Sequence, residues 1–78
     1  MEPKTKSLAK FLKEKRKIVG LTQPALAAKA GVGLRFVREL EQGKTSLRMD
    51  KVNQVLKLFG HELGPLPVNR QILIDEKG

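Results

Sequence analysis

A chain of 78 residues predicts a single domain, and a core this small leaves no room for a deep cofactor cleft. It contains no cysteine and one histidine, which argues against disulfides, thiolate metal ligation and a histidine-rich metal site, so we expect neither metal nor cofactor. The apolar runs are short and interrupted by lysines. We therefore expect no transmembrane helix, no signal peptide and a cytoplasmic location.

The charge balance points to a polyanionic partner. Sixteen Lys and Arg residues stand against eight Asp and Glu residues, giving a formal net charge of +8. Nucleic acid is the first partner to consider, although excess lysine also favours solubility, and composition alone does not separate the two interpretations. No second histidine, cysteine or paired-acid motif accompanies His61, so an enzyme is not expected.

The first predicted helix follows a loose basic leader over residues 1–6. Ser7 is placed to cap it and Gly20 to end it. Lys15 falls inside the apolar arc, where its stem is expected to lie along the core edge. The apolar positions on the shared side are Leu8, Phe11, Leu12, Ile18 and Val19.

Two short helices are predicted next. Thr22 is a favourable N-cap for the second, Pro24 suits its first turn, and Gly31 ends it. After only a tight turn, the third helix is expected over residues 33–42, with Gly43 as its terminator. Helices this short and this close in sequence must cross steeply.

A fourth helix is expected from about Arg48 to Phe59, ended by Gly60. Its predicted apolar face consists of Met49, Val52, Val55, Leu56 and Phe59. We take residues 7–60 as the domain and residues 61–78 as an extended segment and tail. Pro65 and Pro67 argue against a further helix but permit pairing along one edge, for instance with a second copy in a dimer.

The segment over residues 23–40 combines several demanding positions. Ala27 is small where two helices would cross closely, and Gly31 can adopt the positive φ of a sharp turn. The third helix would turn Phe36, Val37 and Leu40 inward. The outward side would then carry Leu34, Arg35, Arg38 and Gln42, a polar face short of acids. Such a face suits the major groove, where Arg35 can bond guanine O6 and N7 and Leu34 can touch a thymine methyl.

These residues, with Leu21 to Gln23 ahead and residues 41–44 behind, resemble the lambda-repressor/Cro type of helix-turn-helix, the XRE family, over about residues 8–60. The resemblance implies a compact all-α fold of four to five helices with a short extended C-terminal segment. It implies base contacts from Leu34, Arg35, Arg38 and Glu39. It implies phosphate contacts from Thr22, Gln23, Gly33, Lys44, Thr45 and Arg48. It also implies a structural ion pair between Arg16 and Glu41, and structural turn positions at Ala27 and Gly31.

Two positions depart from the family pattern. Gly33 stands where serine or threonine is common, which removes a side-chain hydroxyl from a phosphate-binding position. Leu34 is apolar where the family is usually polar.

A finer resemblance is to HipB-like antitoxins, carried by residues 33–44, 49–52 and 58–60. It implies a homodimer that represses its own operon on nucleoid DNA and binds a HipA-type kinase toxin. A stand-alone regulator, such as a phage repressor or restriction-modification controller, is the alternative. Membrane-surface binding by the basic first helix is a third hypothesis, which the lack of an exposed aromatic face disfavours.

The apolar triplet at residues 72–74 leaves two interpretations equally open. It either packs back on the domain or a dimer mate, or helps to engage a toxin.

Overall fold

Helices account for most of the chain between residues 7 and 67, the part that the computed structural model describes. They are α1 (Leu8–Ile18), α2 (Gln23–Ala30), α3 (Leu34–Glu41) and α4 (Met49–Leu58). Within this range there is no strand, as the all-α prediction requires, and no helix is both long and apolar enough to cross a membrane. The predicted leader over residues 1–6, and the tail with its apolar triplet at 72–74, lie outside the described residues.

Side-chain oxygens fix where α1 and α2 begin. Ser7 Oγ accepts a hydrogen bond from the Lys10 amide at 3.2 Å, and Thr22 Oγ1 accepts one from the Ala25 amide at 3.2 Å. Each satisfies a backbone donor that the first helical turn leaves without a partner. Gly33 begins α3 with no side-chain cap. The predicted starts of α1 and α2 are confirmed.

The core draws on all four helices. Leu12 of α1 and Val55 of α4 are fully buried, and Leu26, Val37 and Leu40 of the two central helices meet them. The remaining buried apolar residues are Ala27, Val52 and Leu56. Half-buried side chains, including Phe11, Phe36 and Phe59, pack around this cluster.

Three positions predicted for the core face are instead exposed. Ile18 is 76% exposed, Val19 54% and Met49 68%. Ile18 is the last residue of α1 and Val19 its C-cap, and Met49 is the first residue of α4. All three therefore lie at a helix terminus. The apolar pattern correctly marks one side of each helix, but it carries no information on how far along that side the other helices reach.

The turn between α2 and α3 depends on a left-handed residue. Gly31 has φ +75°, and its amide and that of Val32 reach back to α2 carbonyl oxygens. Gln54 of α4 closes the same turn from outside, since its Nε2 donates to the oxygens of Ala30 and Gly31 at 3.2 and 3.4 Å. No sequence pattern indicates this role of Gln54. Together these bonds fix where α3 starts.

We expect Gly31→Ala to reduce the free energy of unfolding by about 1–2 kcal/mol, because a Cβ disfavours positive φ. Steric crowding is not the cause, since a Cβ at this position would lie 3.6 Å from Gln54 Nε2, an ordinary contact. Gly33→Ser is the matched control. Gly33 has φ −78° and open space around it, so serine should change stability by only a few tenths of a kcal/mol. Urea unfolding of both variants measures the difference; equal stabilities would contradict it.

Candidate nucleic-acid interface

Helix α3 is anchored by one side and leaves the other accessible. Val37 is fully buried and Leu40 is 2% exposed, whereas the side chain of Arg35 is 92% exposed and Arg38 is also exposed. Arg35 and Arg38 are three residues apart, so they are neighbours on the helix surface. The structure therefore brings two guanidinium groups together on the accessible side of a helix that the core holds firmly.

Leu34 does not lie fully on this accessible side. The prediction grouped it with Arg35 and Arg38, but the structure places it half-buried and packed against the core. At the first residue of α3, a leucine gains more by covering apolar neighbours than by standing in water. Only part of its side chain is left available for a ligand.

A hydrogen-bonded ion pair joins the end of α3 to α1. Arg16 Nε lies 2.7 Å from Glu41 Oε2, and Arg16 Nη2 lies 3.0 Å from Glu41 Oε1. Arg16 Nη1 also donates to the Leu21 oxygen at 2.9 Å. The two side chains are only 13% and 2% exposed. The pair therefore ties together α1, the turn after it and the last residue of α3.

Gln23, the first residue of α2, is a third member of this network. Its Nε2 donates to Glu41 Oε1 at 3.1 Å, a contact that the sequence did not predict. A side-chain amide carries two N–H donors, so this bond leaves the second one for a ligand. The carboxylate thus sets the direction in which the Gln23 amide points.

The network favours the ionised form of Glu41. Burial on its own raises the pKa of this carboxyl group, but the hydrogen bonds from Arg16 and Gln23 and the charges of Arg16 and Lys13 outweigh it, and the net pKa is lowered. The pKa of Arg16 is raised, chiefly by its hydrogen bond to Glu41. The pair therefore stays charged at neutral pH.

Glu39 is the acid on the accessible side of α3. Its Oε2 lies 3.5 Å from Arg35 Nε and 3.4 Å from Lys44 Nζ, and its side chain is 28% exposed. Glu39 and Arg35 are four residues apart, the spacing at which helical side chains meet. Glu39 thus lies between two cations, Arg35 and Lys44, for which DNA contacts are predicted.

The predicted phosphate ligands lie near the N-termini of α2, α3 and α4 and in the segment that follows α3. Thr22 caps α2, Gly33 caps α3, and Lys44 and Thr45 follow α3 in exposed positions. Arg48 precedes α4 and is 68% exposed. It forms a two-bond pair with Asp50 at 2.7 and 3.1 Å, and hydrogen bonding from Arg48 lowers the pKa of Asp50. The N-terminal ends of helices and exposed basic side chains such as Lys44 are groups of the kind that bind phosphate.

No group of three or more histidine, cysteine or acidic side chains within residues 7–67 is arranged to hold a metal ion. The chemistry of the accessible surface is that of hydrogen-bond donors and positive charge.

Residues 12–65, which include α2, the turn at Gly31 and the accessible α3, match a family model described as Helix-turn-helix. The match covers more than half of the chain. The chain belongs to the helix-turn-helix family. The XRE-type resemblance and the lambda-repressor-like fold are thereby confirmed, and the protein has the DNA-binding fold of a transcription regulator.

One curated helix-turn-helix relative is the uncharacterized HTH-type transcriptional regulator y4mF of Sinorhizobium fredii (strain NBRC 101917 / NGR234). The two sequences are 51% identical over 45 residues, which cover 58% of this chain. The aligned region spans 59% of the relative's length.

We expect Glu41→Gln to reduce the free energy of unfolding at neutral pH by about 3 kcal/mol, because the half-buried Arg16 loses its counter-charge. The difference from the wild-type protein should shrink as the pH falls. Because the folded-state pKa of Glu41 lies below its ordinary value of 4.5, ionised Glu41 stabilises the fold above pH 4.5. That contribution is lost as the pH falls through the folded-state pKa.

Urea unfolding of both proteins between pH 7 and pH 3 tests this expectation. Glu62→Gln, which removes an exposed acid after α4, is the charge-matched control. A difference between wild type and Glu41→Gln that stays constant down to pH 3 would show that the charge of Glu41 contributes nothing.

Proposed function

We propose that the protein is a sequence-specific transcriptional repressor that reads an operator with α3 in the major groove. The observation that carries this proposal is the exposed pair Arg35 and Arg38 on a helix whose opposite side is anchored by Val37 and Leu40. Arginine can bond both acceptors of guanine at once, which distinguishes that base from the others. Arg35, at the N-terminal end of α3, is the principal reader.

The remaining predicted contacts are assigned by position. The exposed part of Leu34 touches a thymine methyl, and Arg38 and Glu39 reach neighbouring base edges. The phosphate contacts come from Thr22, Gln23, Gly33, Lys44, Thr45 and Arg48. Thr22 Oγ1 accepts its capping bond and so keeps its own O–H for donation, and Gln23 keeps one N–H. These groups fix the register of α3 on the duplex.

The reading unit is a homodimer, because one helix of eight residues contacts too few bases to define an operator. Two copies place their α3 helices roughly 34 Å apart, one turn of DNA, on a near-palindrome. In this arrangement residues 7–60 form the DNA-binding domain and residues 61–78 the segment beyond it. A half-site duplex should therefore bind far more weakly than a full site.

Arg35→Ala should weaken binding to the preferred duplex by about 1–3 kcal/mol and relax the preference at the base pair that Arg35 contacts. Fluorescence anisotropy on duplexes varied one base pair at a time measures both effects. Lys57→Ala, which removes an exposed cation of α4 outside the assigned contacts, is the control. An equal loss on every duplex would make Arg35 a phosphate ligand instead.

Lys44→Ala should weaken binding to all duplexes by a similar factor, because a phosphate contact carries no sequence information. The slope of log affinity against log salt should fall in magnitude by about 1. An unchanged slope, with a loss confined to certain sequences, would assign Lys44 to a base edge.

A finer proposal is that this repressor is a HipB-like antitoxin that controls its own operon and binds a HipA-type kinase. It is supported by the resemblance of residues 33–44, 49–52 and 58–60 to that subgroup. Co-expression with a neighbouring kinase-like reading frame, followed by purification, tests it. A complex of the two chains supports the antitoxin role; separate elution leaves a stand-alone regulator.

Truncation before residue 70 then tests the apolar triplet. Loss of the kinase complex with unchanged dimer mass assigns the triplet to the toxin, and loss of the dimer assigns it to self-association.

A further inference from the structure

Glu39 contacts two cations on the surface that is proposed to bind DNA. Its carboxylate lies within 3.5 Å of Arg35 Nε and 3.4 Å of Lys44 Nζ, so it contacts two cations at once. One cation lies a turn earlier on α3 and the other follows the helix. In the free protein Arg35, the proposed base reader, and Lys44, a proposed phosphate ligand, therefore both contact the carboxylate of Glu39.

DNA and Glu39 compete for the same two side chains. Arg35 is 92% exposed and Lys44 is 48% exposed, so solvent screens both pairs and either can open. Exposed pairs of this kind each alter an equilibrium by a factor of about 1.5 to 5. Both together can therefore shift a binding constant by up to about 25-fold without blocking it.

The competition is not equal on all duplexes. A DNA phosphate only replaces Glu39 as the anionic partner of Arg35. The phosphate also repels the Glu39 carboxylate, which then has lost its contact with the guanidinium. A correctly placed guanine gives Arg35 two acceptors in fixed geometry, and a cytosine amino group next to it gives Glu39 a donor. Glu39 thus gains a hydrogen-bond donor in the major groove of a matching sequence, whereas against the DNA backbone it meets only the negative charge of phosphate.

We propose that Glu39 is a specificity-determining residue that restrains Arg35 and Lys44 and so penalises binding to non-cognate DNA. The proposal rests on the proposed function, since it assigns both cations to DNA. Glu39 raises discrimination mainly by weakening the wrong complexes, whereas Arg35 raises it by strengthening the right one.

Glu39→Gln tests this role with little change of shape. Glu62→Gln is the matched control, because it adds the same unit of net charge at an exposed position after α4. The probes are a duplex selected by the wild-type protein from a random-sequence library and a scrambled duplex of equal length and composition. Circular dichroism and thermal melting confirm that each variant is folded.

Glu39→Gln should tighten binding to the scrambled duplex by about two- to 25-fold, which is the range for two exposed pairs. Binding to the selected duplex should tighten less or weaken, so the ratio of the two affinities falls at least about twofold. Glu62→Gln should leave this ratio unchanged. In a background carrying Arg35→Ala and Lys44→Ala, the effect of Glu39→Gln on the scrambled duplex should disappear.

Unchanged or weaker binding of Glu39→Gln to the scrambled duplex overturns the inference, and if the selected duplex alone is affected, Glu39 is only a base reader. An effect that persists without Arg35 and Lys44 also overturns it, because general charge would then be the cause. Failure of the proposed function looks different: the wild-type protein itself would bind both duplexes equally.

Discussion

The largely buried ion pair of Arg16 and Glu41 is the constraint on which the proposed DNA-reading surface depends. It joins α1 to the last residue of α3, and through Gln23 it reaches the first residue of α2. A buried pair adds little net stability, because desolvating two charges offsets much of their attraction. Its value here lies in geometry, since the same carboxylate fixes the end of the reading helix and the direction of a predicted phosphate ligand.

The apolar core and the preceding turn complete the anchoring of α3. Val37 and Leu40 hold the inner side, and Gln54 binds the carbonyl oxygens of the turn that precedes the helix. With both ends of α3 fixed, the proposed DNA contacts of Arg35 and Arg38 would need little reorganisation of the helix, so less of the interaction energy would be lost to ordering. In our proposal Glu39 then restrains Arg35 and Lys44 and so weakens binding to non-cognate DNA.

Helix order, helix ends and the main anchors were predictable because they follow from local chemistry. Thr22 and Gly31 act through backbone rules that a sequence displays directly, and the Arg16–Glu41 pair entered through the family resemblance. Contacts between distant residues without such a rule were not visible: Gln23 with Glu41, and Gln54 with the turn. The exposure of Ile18 and Met49 was missed because periodicity defines the side of a helix but not the extent of its neighbours.

Selective operator recognition can be measured by a titration on DNA from upstream of the protein's own gene. Binding is compared with an unrelated duplex of equal length at two salt concentrations. We expect tighter binding to the upstream DNA at both concentrations, with affinity for both duplexes falling as salt rises. Equal, weak binding to both duplexes would contradict it and would reduce the accessible side of α3 to a surface of general positive charge.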